Sequence, residues 1–247
     1  MNPDHFTPVA GQYAAFRPSY PDELFDWLAS IAPQHELAWD CGAGSGQATV
    51  ALASRFARVR ATDISSAQLA SAPALANVEY RATPAEASGL PDHSVDIVTV
   101  AQALHWFDLP GFYGETQRVL KPRGIIAAWG YNRLRIDHPG LQQVLDRFYD
   151  ETIGAYWPPE RAHVENGYRD LPFPFSRVPA PPFSLHKDWT REHLLGYLRS
   201  WSAVGRFQAA HGFDPVDELA CEIGAYWQEG KAYRIEWPLF MHAGRAD

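Results

Sequence analysis

Two cysteines in 247 residues, Cys41 and Cys221, are too few for a disulfide framework and suggest no cysteine metal site. Basic side chains are also scarce, 21 lysines and arginines against 29 acidic residues, and a formal charge of -8 weighs against nucleic acid as the main partner. No apolar run reaches the length of a membrane span, and the opening Met1-Asn2-Pro3-Asp4-His5-Phe6 lacks the basic residues and apolar stretch of a secretory leader. The expectation is a cytoplasmic protein with no membrane partner. A Gly-Lys-Ser/Thr phosphate loop, an internal repeat and a low-complexity segment are all missing. What is present is 46% hydrophobic and 20% charged, a folded chain long enough to bury a sizeable core.

The apolar pattern changes three times along the chain. Leu24, Trp27, Leu28 and Ile31 make one helix face between Pro21 and Pro33. From residue 37 short apolar strands alternate with helices, the pattern of a doubly wound, mostly parallel α/β sheet. Strands are expected at 37–39, 59–62, 78–81, 95–101 and 125–129. The run Val95-Asp96-Ile97-Val98-Thr99-Val100-Ala101 suits a strand buried on both faces. A helix capped by Asp108 should reach Leu120, with Lys121-Pro122-Arg123-Gly124 turning into the next strand. Residues 131–190, rich in proline and aromatics after Trp157, read as a partly helical, partly irregular insertion serving as a lid. Helices through Leu194, Leu195, Leu198 and Trp201 and through Val216, Leu219 and Ile223 follow, and then a closing strand interrupted by Pro238. We read one domain: an entry segment and helix over 1–36, a ligand-binding core over 37–130, the insertion over 131–190 and a C-terminal part over 191–247.

Trp39-Asp40-Cys41-Gly42-Ala43-Gly44-Ser45-Gly46-Gln47 is a strand end, a glycine turn and a helix start. Glycines there permit left-handed backbone and let a ligand approach the main chain. The spacing G-x-G-x-G differs from the dinucleotide G-x-G-x-x-G, and Asp40 before it would repel a pyrophosphate. The ligand therefore carries a cationic or hydroxyl group rather than phosphate. Asp63, about twenty residues on, ends the second strand, where such folds place an acceptor for ribose hydroxyls. Its alternative role is the N-cap of the helix from Ser65.

These residues, with Ala85-Glu86 and the segment Val95 to Ala101 followed by Gln102-Ala103-Leu104-His105-Trp106-Phe107, resemble class I S-adenosylmethionine-dependent methyltransferases. The small-molecule group that includes trans-aconitate methyltransferase-like proteins is the nearest match. The resemblance implies a Rossmann-like, seven-stranded, mostly parallel sheet with its last strand antiparallel, and S-adenosyl-L-methionine as cofactor. It implies that Asp40 lies near the methionine ammonium while Gly42, Ala43, Gly44 and Gly46 form the turn beneath the ligand. Asp63 would take the ribose hydroxyls, Ile64 would pack on the adenine, and Ala85 and Glu86 would border its edge. Ala101 and Gln102 would reach the methionine moiety, and Tyr13 and Arg17 would cover it from the N-terminal segment. Thr83-Pro84 departs from the family's commoner form.

Methyl transfer needs alignment above all, and an ionised acceptor needs no base. His105 is the titratable candidate for one, its alternative being to pack behind the cofactor. Substrate contacts are expected from Trp106, Tyr131, Asn132, His163, Tyr168, Arg199 and Trp201. The expected activity is methyl transfer to a small molecule, at a carboxylate or hydroxyl oxygen, by a monomer or homodimer. Alternatives are an RNA or protein methyltransferase and a non-catalytic cofactor-binding partner protein.

Overall fold

The computed structural model describes residues 19–246. Pro21, in extended conformation, precedes α1 (Asp22–Ile31), whose acidic first turn faces the positive end of the helix dipole. Leu24, Phe25 and Leu28 are its buried side chains, so Phe25 replaces the expected Trp27 and Ile31 at the centre of the packed face. Next come β1 (Leu37–Cys41), α2 (Gln47–Ala53), β2 (Arg58–Asp63), α3 (Ser66–Ala70), β3 (Val78–Ala82), β4 (Val95–Ala101), α4 (Leu109–Val119) and β5 (Leu120–Tyr131). The five strands pair in parallel in the order β3-β2-β1-β4-β5. β1 and β4, at the middle, are buried almost throughout, as their largely apolar runs required, Asp40, Asp96 and Thr99 being buried with them.

The turn expected at residues 121–124 is a bulge. Leu120 already pairs with Val95, the next pair is Ile125 with Ile97, and Arg123 has a φ of 64°. Pro122 donates nothing to a ladder, so the extra residues leave the sheet and return without ending the strand.

After β5 the chain forms β6 (Arg135–Ile136), α5 (Pro139–Arg147), α6 (Arg161–Glu165), β7 (Ser176–Val178), β8 (Ser184–Trp189), α7 (Arg191–Arg199), α8 (Ser202–His211), α9 (Pro215–Gly224) and β9 (Tyr233–Arg245). The long β9 serves two sheets. Its second half is antiparallel to β5 on one edge and to β7 on the other, which completes a seven-stranded sheet with one reversed strand. Its first half lies between β8 and β6. Pro238 stands where the partner changes: it faces Ser184, whereas Leu239 faces Tyr131. The missing N–H therefore falls at the crossover and the strand runs on.

The helix expected through Trp201 breaks before it. The Ser200 hydroxyl donates to the Tyr197 carbonyl at 2.6 Å, and Trp201 is extended at the N-cap of α8. Two apolar clusters cover the two faces of the main sheet, one built with α1 and α2, the other with α4 and Phe175. A third gathers Tyr131, α5, α7, α8, α9 and the first half of β9, so the segment after β5 and the C-terminal helices share one core. Among the described residues no helix is long and apolar enough to cross a membrane.

Candidate active site

A cleft of about 740 Å³ opens at the carboxyl ends of β1, β2 and β4, where the strand order reverses. The glycine turn forms its floor. Gly42 and Ala43 donate their N–H groups to the Thr62 carbonyl at 2.8 and 3.0 Å, and the Gly44 N–H reaches Asp63 Oδ2 at 2.8 Å. Gly42 sits at a φ of +72°, and a Cβ there would stand 2.6 Å from the Ala103 Cβ, so only glycine lets β1 pass the end of β4. Gly46 lies at the left-handed N-cap of α2 and is not part of the lining; it shapes the turn rather than meeting the cleft.

Asp40 is completely buried and lines the cleft floor. The Thr49 hydroxyl donates to its Oδ2 at 2.5 Å and the Thr99 hydroxyl to its Oδ1 at 3.0 Å. Burial outweighs these bonds and raises the carboxyl to about 6, and the charge of Asp63 adds to the rise. Asp63 ends β2 with Oδ1 accepting from the Ser65 N–H at 2.9 Å, and the N-cap of α3 is Ser65 itself. Both of the Asp63 oxygens thus hold the two loops that flank the cleft. Ile64 beside it is 70% exposed, a large apolar side chain set on the wall of a concave site.

The third wall is held from behind. Glu115 is buried on α4 and accepts from the Ser88 N–H at 2.8 Å and from Arg118, which also pairs with Asp92. That network fixes the loop carrying Thr83, Pro84, Ala85 and Glu86, all of which line the cleft. The Thr83 hydroxyl oxygen is buried there with no hydrogen-bond partner. At the end of β4, Ala101 and Gln102 complete this side. Gln102 adopts a φ of 58°, donates its N–H to the Trp129 carbonyl at 2.9 Å, and reaches the Tyr131 carbonyl through Nε2 at 3.1 Å. A non-glycine residue in that region stores about 1 to 3 kcal/mol of strain, a pattern of ligand sites. Tyr13 and Arg17 lie outside the described residues.

Of the residues expected to meet a substrate, Trp106 and Tyr131 line the cleft. Asn132, His163, Tyr168, Arg199 and Trp201 do not. Arg199 clamps the start of α9 through Asp214 and Asp217 at 2.6 and 2.7 Å, and His163 pairs with Asp170 at 2.6 Å. Trp201 packs against Trp157 and Tyr197, and Asn132 donates to the Glu165 carbonyl at 3.0 Å. The fully buried Tyr168 holds His105 through a 2.8 Å bond to Nδ1. The phenol and the imidazole share this one bond, in which the donor depends on the tautomer of His105. Burial, helped by the charges of Arg161 and His163, lowers His105 to about 3. His105 is neutral and set behind the lining, which does not suit a general base.

Sequence reasoning missed Tyr20, Gln68, Ala103 and Phe107 on the cleft wall. Phe107 had a signal, since it closes the segment after β4; Gln68 on α3 had none. Cys41 also lines the cleft, where burial pushes its thiol well above the usual range, so it is an inert wall.

A family model described as a methyltransferase domain matches residues 39–128, the segment that holds the glycine turn, Asp63 and the end of β4. A Dictyostelium discoideum protein named as a methyltransferase is 40% identical over 245 residues, covering 96% of this chain and 93% of that relative. The chain belongs to the class I S-adenosylmethionine-dependent methyltransferase family. A solved structure named as a type II methyltransferase, from Anaeromyxobacter dehalogenans, matches this methyltransferase with a TM-score of 0.88 at 45% identity over 93% of this chain and 98% of that one. The fold extends to a Haemonchus contortus phosphoethanolamine N-methyltransferase solved with S-adenosylhomocysteine, at a TM-score of 0.50 and 15% identity over 98% of this chain and 57% of that one.

Proposed function

We propose that this methyltransferase moves the methyl of S-adenosylmethionine to a carboxylate or hydroxyl oxygen of a small molecule, a carboxylate being favoured. The cleft fits the donor by its own chemistry. Asp40, Asp63, Glu86 and Asp108 line it, and among the described lining residues there is no lysine or arginine. Such a surface attracts an ammonium and a sulfonium and repels a polyphosphate. The buried, unpartnered Thr83 hydroxyl and the bare Ile64 face supply a polar and an apolar contact for a nucleoside. When bound, S-adenosylmethionine supplies a methyl activated by its sulfonium sulfur.

The residues divide the work. Asp40 holds the amino-acid ammonium, Asp63 the ribose hydroxyls, Ile64 and Ala85 the flat base, and Gln102 the approach to the methyl. Trp106, Tyr131 and Tyr20 close the acceptor side and exclude water. The observation that carries the acceptor class is the absence of a histidine or lysine from the described lining, with His105 neutral and set behind it. An acceptor that is already ionised needs only placement, and a carboxylate meets that condition. The lack of basic lining supports a small molecule over nucleic acid.

The test has two stages. Isothermal titration with S-adenosylhomocysteine should give one site per chain. A labelled-methyl screen over small carboxylic acids, phenols, amines, RNA and protein should then transfer label to an oxygen acid. Label only on amines, RNA or protein refutes the acceptor reading, and absence of binding refutes the donor reading.

A further inference from the structure

We propose that Arg161, with Asn132 and Trp157, forms an oxyanion-binding subsite beside the Trp106 and Tyr131 wall, outside the residues that line the cleft, which holds a carboxylate of the acceptor away from the methyl. The subsite deepens the acceptor reading given above.

Two arginines lie over the ring of Tyr149. Arg133 stands 4.0 Å from the ring centroid and is neutralised by Asp150 through two 2.6 Å bonds. Arg161 stands 5.8 Å from the Tyr149 centroid and 5.0 Å from that of Trp157, with no carboxylate within ion-pair distance among the described residues. Its Nε donates to the Tyr149 hydroxyl at 2.9 Å, and that hydroxyl donates on to Glu165 Oε1 at 2.6 Å. One corner of the guanidinium is thereby fixed in orientation. Its two terminal nitrogens, the edge that grips a carboxylate with two parallel bonds, have no hydrogen-bond partner among the described residues. The side chain is half-buried, so its charge is only partly met by water.

Two further polar atoms in the same cluster are buried and unpartnered. Asn132 uses Nδ2 on the Glu165 carbonyl, which leaves Oδ1 as a free acceptor, and Trp157 Nε1 is a free donor. A buried polar atom without a partner costs about 1 to 3 kcal/mol. Of the two, Trp157 is the one whose ring lies under the Arg161 guanidinium.

The cluster adjoins the cleft on two sides. α6, which begins at Arg161, packs on the turn of Leu104 to Trp106, and Trp106 is on the cleft wall. Asn132 follows Tyr131, another wall residue. An anionic acceptor entering a cleft lined by four carboxylates meets repulsion, and Arg161 offsets it. A carboxylate paired with arginine is a poorer nucleophile than a free one, so the group held there is distinct from the methylated oxygen.

The test titrates succinate and, separately, inorganic phosphate into wild type, Arg161→Gln, Arg161→Lys and Arg147→Gln, each with and without S-adenosylhomocysteine, following tryptophan fluorescence. Arg147 pairs with Glu222 away from the cluster and serves as control. Wild type and Arg147→Gln should bind succinate alike. Arg161→Gln should bind it about ten- to a hundredfold more weakly, with Arg161→Lys between them and S-adenosylhomocysteine affinity unchanged throughout. Succinate affinity within twofold in Arg161→Gln overturns the subsite, as does failure of wild type to bind succinate. Tighter binding of phosphate than succinate overturns the carboxylate assignment. If S-adenosylhomocysteine does not bind but succinate titrates on Arg161, the donor reading fails and the subsite stands.

Discussion

Asp40→Asn should make the unliganded protein less dependent on pH while weakening its hold on the donor. Asp40 is the completely buried carboxylate of the cleft floor, raised to about 6 from the usual 3.8 by loss of water. A carboxyl whose folded value is raised binds more protons folded than unfolded, so its contribution to stability is full below 3.8 and is lost as pH rises through 6. Between pH 5 and pH 8 that loss is about 1.4 kcal/mol, and the whole shift is worth about 3 kcal/mol. Asparagine keeps the shape and does not ionise, and the Thr49 and Thr99 hydroxyls can rotate to meet its amide. Denaturant titration of both proteins at pH 5 and pH 8 measures the difference of differences. Asp40→Asn should be stabilised relative to wild type by about 1.4 kcal/mol more at pH 8 than at pH 5. Titration with S-adenosylhomocysteine should show the reverse for function: wild-type affinity falls below pH 6, as the carboxylate takes up its proton, while the variant is weak and flat. Equal pH dependence of stability in the two proteins refutes the reasoning, because a solvated Asp40 would titrate alike folded and unfolded.

Four further outcomes follow from the same geometry. Gly42→Ala should cost about 1 to 3 kcal/mol, from a Cβ 2.6 Å from the Ala103 Cβ at a positive φ, and should abolish S-adenosylhomocysteine binding in calorimetry. Asp63→Ala should weaken that binding by roughly 1.5 to 3 kcal/mol, through loss of a charged acceptor and release of the Gly44 loop; unchanged affinity removes the ribose role. Because His105 is held neutral far above its value of about 3, the pH–rate profile between pH 5 and pH 9 should show no inflection from it, and His105→Gln should retain most of kcat. Glu115→Ala should lower unfolding free energy by about 1 to 3 kcal/mol by leaving the buried Ser88 N–H and hydroxyl without their acceptor, while Arg118 keeps Asp92, with a larger loss of donor affinity than its distance from the ligand suggests, since the Thr83 to Glu86 loop leans on it.

The donor half of the site was legible because its requirements are local. A positive φ at Gly42, a carboxylate at the end of each of two adjacent strands and an apolar run at β4 each leave a mark within a few residues. The acceptor half was not, because its partners come from distant stretches with ordinary compositions. Arg199 has the look of a ligand residue beside Trp201, yet it serves the start of α9 across fifteen residues. His105 reads as a base from its type and place, but burial, with the charges of Arg161 and His163 from a stretch more than fifty residues on, keeps it neutral, and Tyr168 bonds its Nδ1. Pro238 suggested an interruption because a proline breaks one ladder, and one strand passing between two sheets leaves no periodic signal.

That strand explains how the two halves work together. The second half of β9 is antiparallel to β5 in the sheet that carries the glycine turn, and its first half runs between β8 and β6 under the helices that hold the acceptor side. Trp237, fully buried, donates to the Tyr197 hydroxyl at 3.2 Å, and four residues later Met241 faces Trp129 beside the end of β4. A single continuous backbone thus ties the helical side of the cleft to the sheet that carries the glycine turn. In-line methyl transfer tolerates little misalignment, and a continuous strand holds the two sides of the cleft in register. Two charged groups lie on these two sides: Asp40 in the dry floor, held by Thr49 and Thr99, and Arg161 outside the lining, on the helix packed against the Leu104 to Trp106 turn and with no ion pair among the described residues. On the proposed function a cationic donor would answer the first charge and an anionic acceptor the second, so each ligand would meet a group of opposite sign.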